Sequence, residues 1–158
     1  MRFQDFIIES TQKAADEAFK YAAGVPEDKL TWKPLDAGRS VLDQAQEMAK
    51  CPDWAYTLVS GAEMGQMDEA SMAAYKAEIA TWTTIETCKA ECQKRLEKLF
   101  ALYKDLPDER LLETKWLPYG GGRDFGMEEM MAYPSWNFTY HVGQIAYIQT
   151  LYGDNNMY

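Results

Sequence analysis

Apolar side chains recur every three or four positions over most of the chain, which is the spacing of amphipathic α-helices. Gly24 and Pro26 predict where the first helix ends, since glycine is common just past a helix and proline cannot continue one. The small and apolar residues of this first helix share one face: Phe3, Phe6, Ser10, Ala14, Ala18 and Ala22.

A second helix is predicted to begin after Ser40, because Asp43 stands three residues later in a variant of the capping box. Pro52 should bend this helix or end it early. A polar, glycine-bearing connection over residues 60–71 leads to a third helix, which is predicted to be the longest. Its apolar side chains form one sustained stripe: Tyr75, Ile79, Trp82, Ile85, Cys92, Leu96, Leu99 and Tyr103.

The segment 112–126 differs from the rest, since it has no helical period and surrounds a glycine-rich turn. It predicts a short extended pair. A last helix is predicted over about residues 127–152, with Pro134 near its start and Gly153 as its C-terminal cap. The pattern therefore indicates an all-α fold, a four-helix bundle with a small hairpin or extended turn before the last helix. We expect residues 1–158 to form a single domain.

Composition and charge narrow the classes of function. The chain has 158 residues, is 47% hydrophobic and carries a net charge of −9, so it should fold around a core and repel nucleic acids and anionic membranes. It contains no apolar run near the roughly 18 residues of a membrane span, and its N-terminal segment lacks the apolar block of a signal peptide. The odd set of cysteines, Cys51, Cys88 and Cys92, suits a reducing compartment. We expect a cytoplasmic protein.

His141 is the only histidine of the chain. On the last predicted helix it shares a face with Asn137 and Ile145, so its side chain should point into the core. A buried imidazole needs partners for both ring nitrogens, which a metal ion, a carboxylate, an amide or a tyrosine could provide. One histidine cannot supply the three protein ligands of a catalytic zinc site, so the remainder would have to be oxygen ligands. Glu47, on the second predicted helix, is the best candidate.

Two separate segments carry a family resemblance, "KLTWKPLDAGRSVLDQAQEMA" at residues 29–49 and "WNFTYHVGQIAYIQTLYGD" at residues 136–154. With the "HVGQ" tetrad at residues 141–144, the chain resembles the DinB/YfiT-like superfamily of four-helix bundles, and its DinB-like branch in particular. The resemblance implies a metal site of three histidines, one on the second helix and two that are four residues apart on the fourth. The corresponding positions here are Glu47, Asn137 and His141.

The departures from the family pattern leave two interpretations of this site. In the first, Glu47, Asn137 and His141 hold one divalent metal ion (Ni²⁺, Zn²⁺ or Mn²⁺), with an affinity lowered by the weak amide ligand. In the second, the metal is absent, and Glu47 accepts a hydrogen bond from His141 or Asn137 within a polar network of the core.

Six further residues are predicted to line a pocket at this site, three on the second helix and three on the fourth: Gln44, Cys51, Trp54, Trp136, Tyr140 and Gln144. Cys51 lies one turn after Glu47, and the neighbouring carboxylate would disfavour its thiolate. A nucleophilic cysteine is therefore not favoured.

Two hypotheses of function follow. The resemblance implies an enzyme that acts on small molecules, either a transferase that uses a low-molecular-weight thiol or a hydrolase. The alternative is a metal-free, non-catalytic bundle, a homodimer that binds a small ligand or a partner protein. The alternative rests on the reduced set of metal ligands and on nine methionines, which suit adaptable packing surfaces.

Overall fold

Four long helices pack around a shared apolar core in the computed structural model, which describes residues 1–63, 65 and 68–158. The helices are α1 (Phe3–Ala23), α2 (Val41–Ser60), α3 (Glu69–Ile79), α4 (Ile85–Asp105) and α5 (Met127–Leu151). The strands are β1 (Thr114–Leu117) and β2 (Arg123–Gly126).

The bundle consists of α1, α2, α4 and α5. Both α1 and α2 pack against α4 and α5, and the short helix α3 lies in the connection between α2 and α4. The predicted four-helix bundle is confirmed. Among the described residues, no helix is both long enough and apolar enough to cross a membrane.

The predicted hairpin before the last helix is also confirmed. Strands β1 and β2 pair antiparallel, with Thr114 opposite Gly126 and Leu117 opposite Arg123. The turn between the strands contains residues 120–122, three glycines with φ angles of 62°, 93° and 84°. This left-handed backbone is readily adopted only by glycine, which accounts for the glycine run.

The prediction of one long third helix is wrong. The stripe from Tyr75 to Tyr103 is divided between α3 and α4 by residues 80–84. Thr84 starts α4 anew, because its side chain accepts a hydrogen bond from the backbone N–H of Thr87. Trp82 is buried in the break, where its carbonyl oxygen accepts a hydrogen bond from Gln46. The apolar period continues across the break, so periodicity alone does not reveal it.

Two internal prolines, Pro52 in α2 and Pro134 in α5, each remove a backbone N–H donor from their helix. Near each proline, a side chain of α4 donates a hydrogen bond to a backbone carbonyl of that helix. Helix α2 continues through Pro52, so the expectation that it ends early there is wrong. The Met48 carbonyl, which the missing N–H of Pro52 would normally satisfy, accepts the Cys92 thiol at 3.6 Å. In the turn before Pro134, the Met131 carbonyl accepts the Tyr103 hydroxyl at 3.0 Å.

A cluster of charged side chains joins α2, α3 and α4; we call it the Arg95 cluster. The Arg95 guanidinium lies 3.0 Å from Asp53 and 2.6 Å from Glu78, and it also pairs with Glu91. Lys50 bridges Asp53 and Glu78 at 2.8 Å from each. The cluster is the polar connection between the bundle and α3, a helix in which no residue is buried.

Candidate functional site

Helices α2 and α5 bring the predicted site residues face to face. Glu47 comes from α2, and Asn137 and His141 come from successive turns of α5. The Asn137 and His141 side chains are buried, whereas Glu47 is 35% exposed. The structure therefore brings together the three residues at which the family resemblance implies metal ligands.

The two ring nitrogens of His141 have different partners. Nδ1 lies 3.0 Å from Oε1 of Gln44 and 3.1 Å from Oε1 of Gln144. Because amide oxygens only accept hydrogen bonds, Nδ1 must carry a proton. Nε2 lies 3.2 Å from Oε1 of Glu47, so the ring completes this contact as a donor when Nε2 is protonated too. Both ring nitrogens of His141 thus face oxygen acceptors.

Both carboxylate oxygens of Glu47 are engaged. Oε1 accepts from His141 and, at 3.4 Å, from the amide nitrogen of Asn137, while Oε2 accepts from the Arg39 guanidinium. The hydrogen bond from His141 is the main cause that lowers the Glu47 pKa to about 2, with Arg39 adding to it and partial burial opposing it. Glu47 is therefore ionised at neutral pH and is a poor proton acceptor, since a general base needs a pKa near the working pH.

Acid should abolish the contribution of Glu47 to stability. The folded pKa lies below the ordinary value of 4.5, so this contribution is present above about pH 4.5 and is lost as the pH falls towards 2. The full shift corresponds to about 3 kcal/mol, which solvent screening of a one-third exposed side chain reduces to about 1 kcal/mol. Urea unfolding of wild type and Glu47→Gln should therefore differ at pH 7 and converge near pH 2.

Glu129 provides a control for this experiment, because its pKa is also lowered to about 2 while its side chain is exposed beside Arg123. Added salt should remove the difference between wild type and Glu129→Gln but leave most of the Glu47→Gln difference. A Glu47→Gln protein as stable as wild type at pH 7 would contradict the assigned pairing.

The side chains at this site do not fit a divalent metal ion. His141 offers one nitrogen, and both oxygens of Glu47 are bonded to cationic or donor groups. Asn137 turns its amide nitrogen towards Glu47, and its buried Oδ1 has no hydrogen-bond partner among the described residues. A divalent ion would lie beside the Arg39 guanidinium, and the two like charges would repel each other. Within the described ranges, no group of three or more His, Cys, Asp or Glu side chains could hold a metal.

Glu47 also lies in the wall of a cavity of about 590 Å³, which we call the Glu47 cavity. Its wall is formed by α2, Gly65 of the connection that follows α2, α3, α5 and the turn of the hairpin, with these residues: Glu47, Lys50, Cys51, Asp53, Trp54, Thr57, Gly65, Ser71, Met72, Tyr75, Tyr119 and Tyr133. A second cavity of about 550 Å³, the Arg123 cavity, shares Trp54, Tyr119 and Tyr133 with the first. The polar network thus reaches a space large enough for a small molecule through Glu47.

The structure places the six predicted pocket residues in three different settings. Cys51 and Trp54 lie in the wall of the Glu47 cavity, whereas Trp136 lies in the wall of the Arg123 cavity. Gln44 and Gln144 hold Nδ1 of His141 instead, away from Glu47.

Tyr140 is half exposed and stacks on Trp136, with ring centroids 5.4 Å apart. One residue along a helix is a rotation of about 100°, so the neighbour of the inward His141 lies towards the outside.

The residues of the site that the sequence prediction does not name include Arg39, Tyr75, Tyr119 and Tyr133. Arg39 lies in the loop just before Ser40, the N-terminal cap of α2. The helical period gives no indication that the side chain of a loop residue contacts Glu47. Tyr119 adjoins the glycine turn, which the sequence analysis interprets only as a turn. Burial raises the pKa of the Cys51 thiol well above its ordinary value, which agrees with an unreactive cysteine.

Comparison with known proteins gives structural matches only. No protein-family model matches the chain, and no curated protein matches its sequence. YfiT from Bacillus subtilis, described as a probable metal-dependent hydrolase with an unusual four-helix bundle topology, superposes with a TM-score of 0.75 at 15% identity. The superposition covers 95% of this chain and 87% of YfiT. The chain has the YfiT-like fold. The resemblance noted in the sequence is thereby confirmed at the level of the fold.

Two further structures share the YfiT-like fold with this chain. The colibactin self-resistance protein ClbS, in complex with double-stranded DNA, has a TM-score of 0.68 at 11% identity over 93% of this chain and 95% of ClbS. An uncharacterised protein from Escherichia coli has a TM-score of 0.66 at 14% identity, over 96% of this chain and 95% of its own. The structure of ClbS contains double-stranded DNA, so the shared fold does not support the prediction that this chain avoids nucleic acid. That prediction rests on the net charge of the chain alone.

Proposed function

We propose that this protein binds a small organic molecule in the Glu47 cavity, with Glu47 as an ionised acceptor rather than a metal ligand or a general base. One observation carries the proposal: the carboxylate that lies in the cavity wall is the one that His141 and Arg39 keep ionised. Small-molecule sites have this form, a mainly apolar wall with a few oriented polar groups. The proposal corresponds to the metal-free alternative of the sequence analysis.

The competing function is a metal-assisted hydrolase or a thiol-dependent transferase. It is supported by the convergence of Glu47, Asn137 and His141 and by the description of YfiT as a probable metal-dependent hydrolase. The pairing of Glu47 with Arg39 counts against it, because an ion would have to displace the guanidinium. The same Glu47 side chain therefore distinguishes the two functions.

A fragment titration tests the proposal. Phenol, benzylamine, benzoate and cyclohexanol are added separately to ¹⁵N-labelled protein, and amide shifts are followed by NMR. At least one fragment should shift residues in the wall of the Glu47 cavity, and Tyr75→Leu should weaken its binding. Trp136→Leu is the matched control, since Trp136 belongs to the Arg123 cavity only. If none of the four shifts the cavity wall, the proposal fails.

Calorimetric titration with Mn²⁺, Ni²⁺ and Zn²⁺ tests the competing function on the same protein, purified without a histidine tag. We expect no stoichiometric binding to the wild type. Stoichiometric binding that Glu47→Ala abolishes would overturn the proposal in favour of the metal-dependent enzyme.

The predicted homodimer also belongs to this proposal. Tyr133, Trp136 and Tyr140 form a stacked ladder along α5, with ring centroids 6.0 Å and 5.4 Å apart. Trp136 and Tyr140 are 59% and 50% exposed. An exposed apolar surface of this kind supports association through α5, with a second copy or with a partner protein.

A further inference from the structure

We infer that the ligand of the Glu47 cavity is an organic cation, such as a quaternary ammonium compound or an alkylamine. The inference rests on the proposed function, because it names the class of molecule that the same cavity would hold. It follows from the aromatic wall, from the carboxylates in that wall, and from the position of Arg39.

The wall of the cavity is rich in aromatic rings, with Trp54, Tyr75, Tyr119 and Tyr133 at different points around it. Trp54 and Tyr119 meet edge to face, with centroids 6.0 Å apart and planes at 66°, so the two rings form a corner. Aromatic faces carry negative electrostatic potential and attract a cation that lies over them. Rings on several sides of one small cavity therefore favour a positive ligand over a neutral or negative one.

The phenols in the wall add no charge of their own. Burial raises the pKa of Tyr75, and it raises the pKa of Tyr133 to about 12. Both side chains are therefore neutral at physiological pH, and they offer a cation their ring faces and hydroxyl dipoles.

Two carboxylates and one ammonium group are part of the same wall. Glu47 and Asp53 are the carboxylates, and Lys50 is the cation. Asp53 is itself paired with Lys50 and Arg95, so Glu47 is the carboxylate that a cationic ligand would meet. The ammonium group of Lys50 lies 2.8 Å from Asp53 and 2.8 Å from Glu78, so its charge is directed into the Arg95 cluster. The net charge of −9 further raises the concentration of cations near the surface.

Arg39 already places one organic cation on the Glu47 carboxylate. Its guanidinium bonds Oε2, and its side chain is 43% exposed. A cationic ligand in the cavity and the guanidinium would therefore share, or compete for, the same negative charge. Removal of the Arg39 charge should strengthen binding of an external cation, which is the opposite of the usual effect of deleting a residue next to a site.

The test compares three probes of nearly equal shape. Choline carries a positive charge, 3,3-dimethylbutan-1-ol is its neutral carbon analogue, and 3,3-dimethylbutanoate is negative. Binding is measured by calorimetry. Choline should bind about tenfold more tightly than the alcohol, since a desolvated cation–π contact contributes this much, and the carboxylate should bind more weakly still.

Four variants separate the contributions. Glu47→Gln should weaken choline binding about tenfold and leave the alcohol unaffected. Tyr75→Leu should weaken choline while Tyr75→Phe, which keeps the ring, should not. Arg39→Gln should strengthen choline binding several-fold.

The outcomes distinguish the inference from the function on which it rests. Equal binding of choline and the alcohol would overturn the cation while leaving the ligand-binding function intact. Tighter binding of the carboxylate, or no binding of choline, would overturn it as well. Failure of all four fragments of the NMR titration would overturn the ligand-binding function itself.

Discussion

Replacement of His141 by alanine should lower the free energy of unfolding by about 3 kcal/mol and Tm by roughly 6–12 °C. The imidazole is completely buried between Gln44, Gln144 and Glu47, so its loss opens a cavity and leaves buried hydrogen-bonding groups without their partner. Thermal and urea unfolding followed by circular dichroism would measure the loss. The variant should also reduce the acid dependence assigned to Glu47, because the largest cause of its lowered pKa is removed.

A double-mutant cycle shows whether this cost depends on Glu47. Glu47→Ala should cost less in the His141→Ala background than in wild type, with a coupling of about 1 kcal/mol. Gln149→Ala is the matched control: Gln149 is buried on the same helix but donates to the Tyr21 carbonyl. Its cost should add to that of Glu47→Ala without coupling. Equal coupling in both cycles would refute the specific His141–Glu47 pair.

Replacement of Arg95 by methionine should lower the free energy of unfolding by about 2 kcal/mol. The side chain is 12% exposed and pairs with Asp53, Glu78 and Glu91. Its loss leaves Asp53 and Glu78 with Lys50 alone and removes the ion pair of Glu91. Breaking a fully buried pair costs about 3–5 kcal/mol, and the partial exposure of the carboxylates reduces this value. Methionine keeps an unbranched apolar stem against Trp82, whose ring lies 4.7 Å from the guanidinium. Urea unfolding measures the change.

Lys98→Met is the control for Arg95→Met, because Lys98 lies on the same helix and also places its charge over a ring, that of Tyr56 at 4.1 Å. It is exposed, so its loss should change the unfolding free energy by no more than about 0.5 kcal/mol. If Arg95→Met changed the free energy of unfolding no more than Lys98→Met does, the Arg95 cluster would contribute little to stability.

The bundle could be predicted from the sequence because its signals are local and repeated. Ser40 and Asp43 form the predicted capping box, and Gly153 adopts the positive φ of a C-terminal glycine. The break at residues 80–84 could not be predicted from the same signals. There, Trp82 is buried, and its carbonyl oxygen accepts a hydrogen bond from Gln46 of α2, while the apolar period along the chain continues unchanged.

The site could be predicted in part for a similar reason. Helical spacing together with the family resemblance indicates Glu47, Asn137 and His141, and the structure brings these residues together. The partner that changes the chemistry is Arg39, which reaches Glu47 from a loop. Loop geometry depends on the tertiary fold, so the sequence alone leaves both a metal site and a metal-free polar network open.

The shallow docking of α3 affects how a ligand would reach the Glu47 cavity. None of its eleven residues is buried, although it contributes Met72 and Tyr75 to the cavity wall. We expect such a helix to open in a separate, low-energy step and its amide hydrogens to exchange with solvent before those of α2 or α5. One wall of the cavity can therefore detach while the four-helix core stays folded. Ligand entry and release would then follow the opening rate of α3, a rate that substitution of Arg95 or Glu78 can change, since neither of these two cluster residues lines the cavity.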